Sequence, residues 1–354
     1  MPRRTATRKK NTRPSRTPRK FSLRRYQVIL LGIGIGLFGL GALQFLALVQ
    51  LTESRSWKIP LSPQGRTSYS DSLRQILPIW SVWYWLTYFT PPKPGYYQIQ
   101  PREKAYRVFQ RLRRGFQTPI RFYLPPQRSP FHLANFLGRV LAYDSLAWMS
   151  TFLNYPWEKY GLHAETWPVI FIPDVYEVYW TTPPETFIER MYQSYERFWN
   201  GERRQKAQAL GLSPVEVTIL ASIIEWETSR PSEKPLIASV YLNRLRIGMP
   251  LQADPTVIYA TRDFLTSRVT QKHLQVDSPY NTYQRRGLPP GPIGIPSPSS
   301  IEAVLNYTPS EYLYFCARPD GSGYHDFSVT YQEHQYKARA YQKALTRWLA
   351  QKRK

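Results

Sequence analysis

The sequence predicts an α+β protein in three folded parts: a single N-terminal transmembrane helix, a small βααβ module, and a larger mixed α+β domain. Three observations carry this. A stretch without a single charge runs from Tyr26 to Leu51. From Ser54 to Leu124 the pattern changes between strand and helix about every 10 to 15 residues. From 125 to 350, amphipathic periods with explicit helix start signals alternate with aromatic, β-branched runs.

Residues 1–25 hold 11 Lys or Arg and no acid, so a large share of the net charge of +24 sits in one arm. An arm so rich in Thr, Ser and Pro is expected to be unfolded. The run from Tyr26 to Leu51 is long enough to span the hydrocarbon layer. It is too long for a signal-peptide core and ends in no small-x-small cleavage site, which favours an uncleaved anchor. The basic arm before it and Glu53 after it place the N-terminus in the cytoplasm and the rest outside. The arm then serves orientation and attraction to anionic lipid, and nucleic acid is not an expected partner. Cys316 is the only cysteine, so no intrachain disulfide is available and packing must stabilise the exported part.

In the module at 54–124, "SWKIPLS" reads as a strand and "SYSDSLRQILPIWSVWYWLTYF" as two short helices broken at Pro78. "GYYQIQP" reads as a strand opened by the turn "PPKPG". Ala105, Val108, Phe109 and Leu112 then fall at i, i+3, i+4 and i+7, an amphipathic helix ended by Gly115. "PIRFYLPP" is expected to close the module. The cluster Trp80, Trp83, Tyr84, Trp85, Tyr88 and Phe89 is denser than so small a core requires and reads first as packing, second as a sugar-binding face.

In the larger domain, helices are expected over 132–143 and 146–159, then a strand in "VIFIPDVYEVYW". Thr182, Pro183 and Glu185 have the form of a capping box opening a helix with Phe187, Met191, Tyr195 and Phe198 on its buried stripe. Ser213, Pro214 and Glu216 repeat it. A helix over 233–247 stops at Gly248, "SSIEAVLN" is a short capped helix, and "YLYFCARPDGSGYHDFSV" is a hairpin. A basic amphipathic helix ends the chain.

Several chemistries lack their residues: the sequence has no HExxH, no paired cysteines, no phosphate loop, and five histidines without metal-ligand spacing, so no metal or cofactor is expected. Carboxylate chemistry remains, and "LASIIEWETSRP" (220–231) offers two acids. Glu225 shares a helix face with Thr218, Ala221 and Ser222, which leaves room for a ligand. Glu227 shares the apolar face of Leu220, Ile223 and Ile224, which would raise its pKa. Two residues apart on a helix, they point in nearly opposite directions. Periodicity leans to Glu225 and leaves Glu227, or a structural role for both, open. Downstream, "SPYNTYQRRGLPPGPIGIPSPSS" joins Tyr280, Asn281 and Tyr283 to a stiff Pro/Gly loop. Tyrosine faces and an amide suit a sugar chain.

The pieces "LASIIEWET", "PLIASVYLNRLRIGMPLQADPTVIYA", "SPYNTYQRRGLPPGPIGIPSPSSIEAVLN" and "YLYFCARPDGSGYHDFSVTYQEHQ", in that order, resemble the endolytic murein transglycosylases, the YceG-like family. The upstream strand, helices and strand look like that family's LysM-like module in pattern only. The resemblance implies a single-pass inner-membrane protein with a periplasmic catalytic domain at 125–350. Such a protein would cut nascent peptidoglycan strands between muramic acid and glucosamine, leave 1,6-anhydro ends and terminate strand elongation. Peptidoglycan synthases are then the protein partners to be expected. Carried over, the family's catalytic glutamate falls on Glu225; Tyr280, Asn281 and Tyr283 are the expected sugar contacts beside it. Asn243, Gln252, Asp254 and Glu227 become supports of the cleft. Trp226 stands where many relatives have a charge and is expected to pack. Glu225, protonated in a partly desolvated cleft, would donate to the glycosidic oxygen. The sugar's own C6 hydroxyl would replace water, so a second carboxylate is not required. A noncatalytic wall-binding scaffold of the same fold is the alternative.

Overall fold

The computed structural model describes residues 23–48, 54–61, 92–266 and 268–352. It is a mixed α+β fold with many helices and three two-stranded sheets among those residues. The two helices and the aromatic cluster expected between Ser68 and Phe89 lie outside the described residues.

The chain divides into two compact units. In the smaller, α1 (Leu23–Leu48) carries exposed apolar side chains along its described face, Tyr26 to Phe38 among them. Among the described residues no single helix is long and apolar enough to cross a membrane. The expected amphipathic helix is α2 (Ala105–Arg114), which buries Val108, Phe109 and Leu112. It stops at Gly115, whose φ of 79° closes the helix through a bond from its N–H to the Arg111 carbonyl.

The two strands read upstream are β1 (Arg55–Ile59) and β2 (Gly95–Ile99), paired with each other. The strand expected to close their module, β3 (Ile120–Tyr123), pairs instead with β4 (Val175–Val178), antiparallel, with Phe122 opposite Tyr176. Aromatic packing accounts for this choice: the Phe122 ring lies 6.0 to 6.4 Å from those of Phe136, Tyr176 and Phe187, all in the larger unit.

Within the larger unit, α3 (Pro130–Val140) and α4 (Ser145–Asn154) form the first helical pair, capped by Ser129 and Asp144. Tryptophans 148 and 167 and phenylalanines 152, 171 and 187 fill the core beside them. Only four residues of "VIFIPDVYEVYW" are strand, and Trp167–Ile170 is a turn of 3-10 helix.

The two capping boxes part company. α5 (Pro184–Phe198) starts one residue later than expected, with Pro183 as its cap and no side-chain cap bond. A residue that precedes proline is driven out of the helical region, so the second proline, Pro184, keeps Pro183 extended. The Thr182 hydroxyl donates to the Tyr179 carbonyl instead. After α6 (Gly201–Ala209), α7 (Pro214–Glu227) starts as expected, with Ser213 and Glu216 exchanging both bonds of the box.

α7 is buried all round from Val217 to Ile224, the mark of a central helix. α8 (Lys234–Arg246), α9 (Asp254–Thr261) and α11 (Pro298–Leu305) pack on it; the single turn α10 (Gln271–Leu274) stands outside. The hairpin is β5 (Tyr314–Ala317) and β6 (His325–Ser328), covered by α12 (Tyr331–Lys352).

The Pro/Gly loop before α11 runs tight against its surroundings. Ile295 exchanges backbone bonds with Gln127, and the Ile293 N–H donates to Ser222 Oγ at 3.0 Å. A Cβ at Gly291 would lie 2.0 Å from the Glu165 carbonyl oxygen. Backbone cannot yield as a side-chain tip can. Gly291→Ala should therefore lower stability by about 1–3 kcal/mol, read as a fall in urea midpoint at unchanged slope.

Candidate active site

The last turn of α7 presents Glu225, Trp226 and Glu227 in three directions. Glu225 points at the start of α11. Its Oε2 accepts from Ser297 Oγ at 2.5 Å, the Ser297 N–H at 3.2 Å, Ser300 Oγ at 2.5 Å and Lys234 Nζ at 3.0 Å. Ser297 is the N-cap residue of α11, yet its side chain makes no cap bond; its hydroxyl is turned toward Glu225, to which it donates. The carboxylate and the Lys234 ammonium are both nearly buried, 13% and 8% exposed. Burial alone would raise the Glu225 pKa. The donors Ser297, Ser300 and Lys234, with the ammonium's charge, outweigh it and hold the carboxyl below its usual range. These donors favour the anionic form of the group.

The small residues on the Glu225 face are also taken. Thr218, Ala221 and Ser222 are buried, and Ser222 binds the Pro/Gly loop. Their small size serves close approach of backbone, not a ligand. Trp226 packs, as expected: the Arg128 guanidinium lies 4.3 Å over its ring, and Gly294 sits against the indole nitrogen.

Glu227 faces the other way and lines a cavity of about 370 Å3 with Tyr241, Arg244, Gln252, Asp254 and Tyr283; Glu225 is not among the lining residues. The hairpin and α12 supply the opposite wall through Tyr314, Cys316, His325 and Tyr331. The Tyr241 hydroxyl donates to Glu227 Oε1. Burial pushes the Glu227 carboxyl up to about 7, the Tyr241 hydrogen bond holding it back and the Asp254 charge adding to the rise. Tyr241 is itself pushed up by burial and by Glu227, so it remains a proton donor.

The cavity walls are fixed by hydrogen bonds. Arg244 donates to the carbonyls of Leu313 and Leu251, each at 2.7 Å, which joins α8 to the hairpin and to the segment before α9. Thr282 Oγ meets the Ala253 N–H and Thr256 Oγ, and Tyr283 donates to Asp254. Gln252 has a φ of 48°, unusual for a residue with a side chain, and its N–H is held by the Thr282 carbonyl.

Of the residues singled out in the sequence, Glu227, Gln252, Asp254 and Tyr283 come together here. Asn281 is buried and donates to the carbonyls of Leu274 and Val276, so it shapes the loop rather than offering an amide to a ligand. Asn243 ties α8 to the carbonyls of Ser310 and Tyr312. Tyr280 lines a different cavity. Tyr241 and Arg244 were not anticipated. The available signal was Ile237, Tyr241 and Arg244 at i, i+4 and i+7, which sets an arginine on a buried stripe.

The sequence profile of the YceG-like family matches residues 70–340. A protein of Bacillus subtilis (strain 168) named endolytic murein transglycosylase is 39% identical over 158 residues, 43% of this chain and 42% of that protein. One of the same name from Streptococcus pneumoniae serotype 2 (strain D39) is 26% identical over 260 residues, 65% of this chain and 47% of the relative. The chain thus spans less than half the length of these relatives. The crystal structure of a YceG-like protein of Listeria monocytogenes shares the fold at a TM-score of 0.54 and 27% identity, over 80% of this chain and 98% of that one.

The two glutamates should respond to pH with opposite signs. Glu227 is raised from 4.5 to about 7, so the folded state binds the extra proton between those values and stability falls as pH rises through them. Glu227→Gln should gain on the parent across that window, by up to about 3 kcal/mol. Glu225 is lowered, so its contribution is present above the unfolded value and is lost as pH falls through the folded one. Glu225→Gln should cost about 3–5 kcal/mol at pH 7, because it strands the buried Lys234, and less under acid conditions. Urea unfolding of the three proteins from pH 4 to 8 checks both signs.

Proposed function

The chain belongs to the YceG-like family, and on that premise we propose that it is an endolytic murein transglycosylase; the surroundings of the two glutamates favour Glu227 as its acid over Glu225, the residue to which the family resemblance points. One observation carries the assignment: Glu227 is a carboxyl raised to about 7, turned into a polar, tyrosine-walled cavity. A general acid near neutrality must hold its proton and still release it, and this pKa suits both. Glu225, lowered and with its Oε2 bonded by Ser297, Ser300 and Lys234, suits neither. Its role is to position the end of α7.

The step proceeds as follows. Tyr241 occupies Oε1, so Oε2 of the neutral Glu227 donates its proton to the oxygen that links a muramoyl C1 to the next glucosamine. The C1–O bond breaks, the glucosamine leaves as an alcohol, and positive charge spreads over C1 and the ring oxygen. The carboxylates of Glu227 and Asp254 oppose that charge. The muramoyl C6 hydroxyl then bonds to C1 and gives its proton to Glu227, which returns to its starting state. Tethering the nucleophile to the same ring replaces the second carboxylate that activates water in a hydrolase. Gln252 and Tyr283 are the side chains that present hydrogen-bonding groups to the sugars.

The finer expectations belong to the same proposal. The apolar run from Tyr26 to Leu51 anchors the chain in the cell membrane, N-terminus inside and enzyme outside. The strands β1 and β2 and the helix α2 belong to a LysM-like wall-binding module, without β3. Cutting strands as synthases make them sets their length. The helix α1, apolar and without charge from Tyr26 onward, and the paired strands β1 and β2 support these readings.

Full-length protein in detergent, given uncrosslinked glycan strands, should release fragments with 1,6-anhydro ends by mass spectrometry. Glu227→Gln should lower turnover about 10²-fold or more with the fold intact. Glu225→Gln should keep turnover at temperatures below its own unfolding. The parent's rate should fall as pH rises through about 7, where Glu227 loses its proton. No products from the parent would make the chain a noncatalytic wall binder, equal products from the parent and Glu227→Gln would return the acid to Glu225, and reducing ends would make it a hydrolase.

A further inference from the structure

A second cavity, of about 710 Å3, lies in the larger unit beyond the other end of α9. Asp254, at the start of that helix, lines the Glu227 cavity; Tyr259 and Arg262, at its end, line this one. The loop after α10 is shared likewise, with Tyr283 on the first cavity and Tyr280 on the second. The walls are mostly apolar and aromatic, and Phe131 and Leu153 on the rim are 60% and 76% exposed. Two exposed charges of opposite sign, Glu165 and Arg262, complete the lining, Arg262 stacked 4.3 Å over the Tyr259 ring.

We propose that this cavity binds the peptide stem that branches from a muramoyl residue of the strand, an inference that rests on the transglycosylase reading above. Length and charge both favour that occupant. The eight residues of α9 span about 12 Å. An extended peptide covers that distance in three or four residues at roughly 3.3–3.6 Å each, so a stem rooted at a sugar over Glu227 reaches the second cavity. A stem carries carboxylates and, at its diamino acid, a free ammonium. Arg262 and Glu165 match these, and the aromatic walls take the methyl and methylene groups between them. A bare saccharide has hydroxyls and acetamides but no pair of opposite charges for the two residues to meet.

The test uses the full chain in detergent and two uncrosslinked substrates, strands that keep their stems and the same strands stripped by an amidase. A fluorescent free stem tetrapeptide reports binding by anisotropy. Glu165→Lys and Arg262→Glu change exposed residues, so the fold should survive both. Each should raise KM for stem-bearing strands about fivefold or more, leave kcat and the KM of stripped strands unchanged, and weaken the labelled stem by a similar factor. An unchanged KM on stem-bearing strands, an equal shift on both substrates, or a labelled stem that fails to bind or binds parent and variants alike would overturn the proposal. If the stem binds as expected and neither strand is cut, the site stands and the transglycosylase reading falls.

Discussion

One buried carboxylate oxygen, Glu225 Oε2, fastens three helices. It ends α7, takes the ammonium that starts α8 and holds the two serines that start α11. A charge this deeply placed persists only when its donors surround it. Because they do, the last turn of α7 cannot rotate, and the residue two positions on is committed to the opposite side. The direction of Glu227 follows from an ion pair that faces away from the cavity.

The helix thus carries two carboxyls whose surroundings drive them apart. Glu225 is held as an anion by hydrogen bonds and a neighbouring cation. Glu227 is pushed toward neutrality by burial and the nearby Asp254 carboxylate, against the hydrogen bond from Tyr241. Environments that separate the pKa values of paired acids are the usual means of assigning them different tasks. Under the proposed assignment, the separation divides structure from chemistry. The Pro/Gly loop belongs to the structural side, since its glycines let it lie against Glu165, Gln127 and Trp226, and its serines reach Glu225.

Much of the fold was legible because local chemistry settled it. Gly115 ended α2, and the box of Ser213 and Glu216 opened α7. The same signature at Thr182 misled by one residue, since a second proline changed which backbone could be helical. β3 was found as a strand and given the wrong neighbour, because strand pairing is decided by what packs on its faces, and Phe122 packs among rings distant in sequence. Of the residues lining the Glu227 cavity, Gln252, Asp254 and Tyr283 stand out in the sequence, while Tyr241 and Arg244 look like ordinary helix residues.

The sequence by itself determined the class of fold, the helix that carries the two acids, and the fact that they must face opposite ways, since the helical period is a local property. Only the tertiary structure decided which face meets the cavity. The small residues beside Glu225 are equally suited to admitting a ligand and to admitting another stretch of backbone. The apolar residues beside Glu227 are equally suited to a sealed core and to a pocket wall. What distinguishes these cases is the position of Ser297, Ser300 and Lys234 on one side and of Tyr241, Asp254 and the hairpin on the other. Those positions come from long-range packing, which no local pattern records.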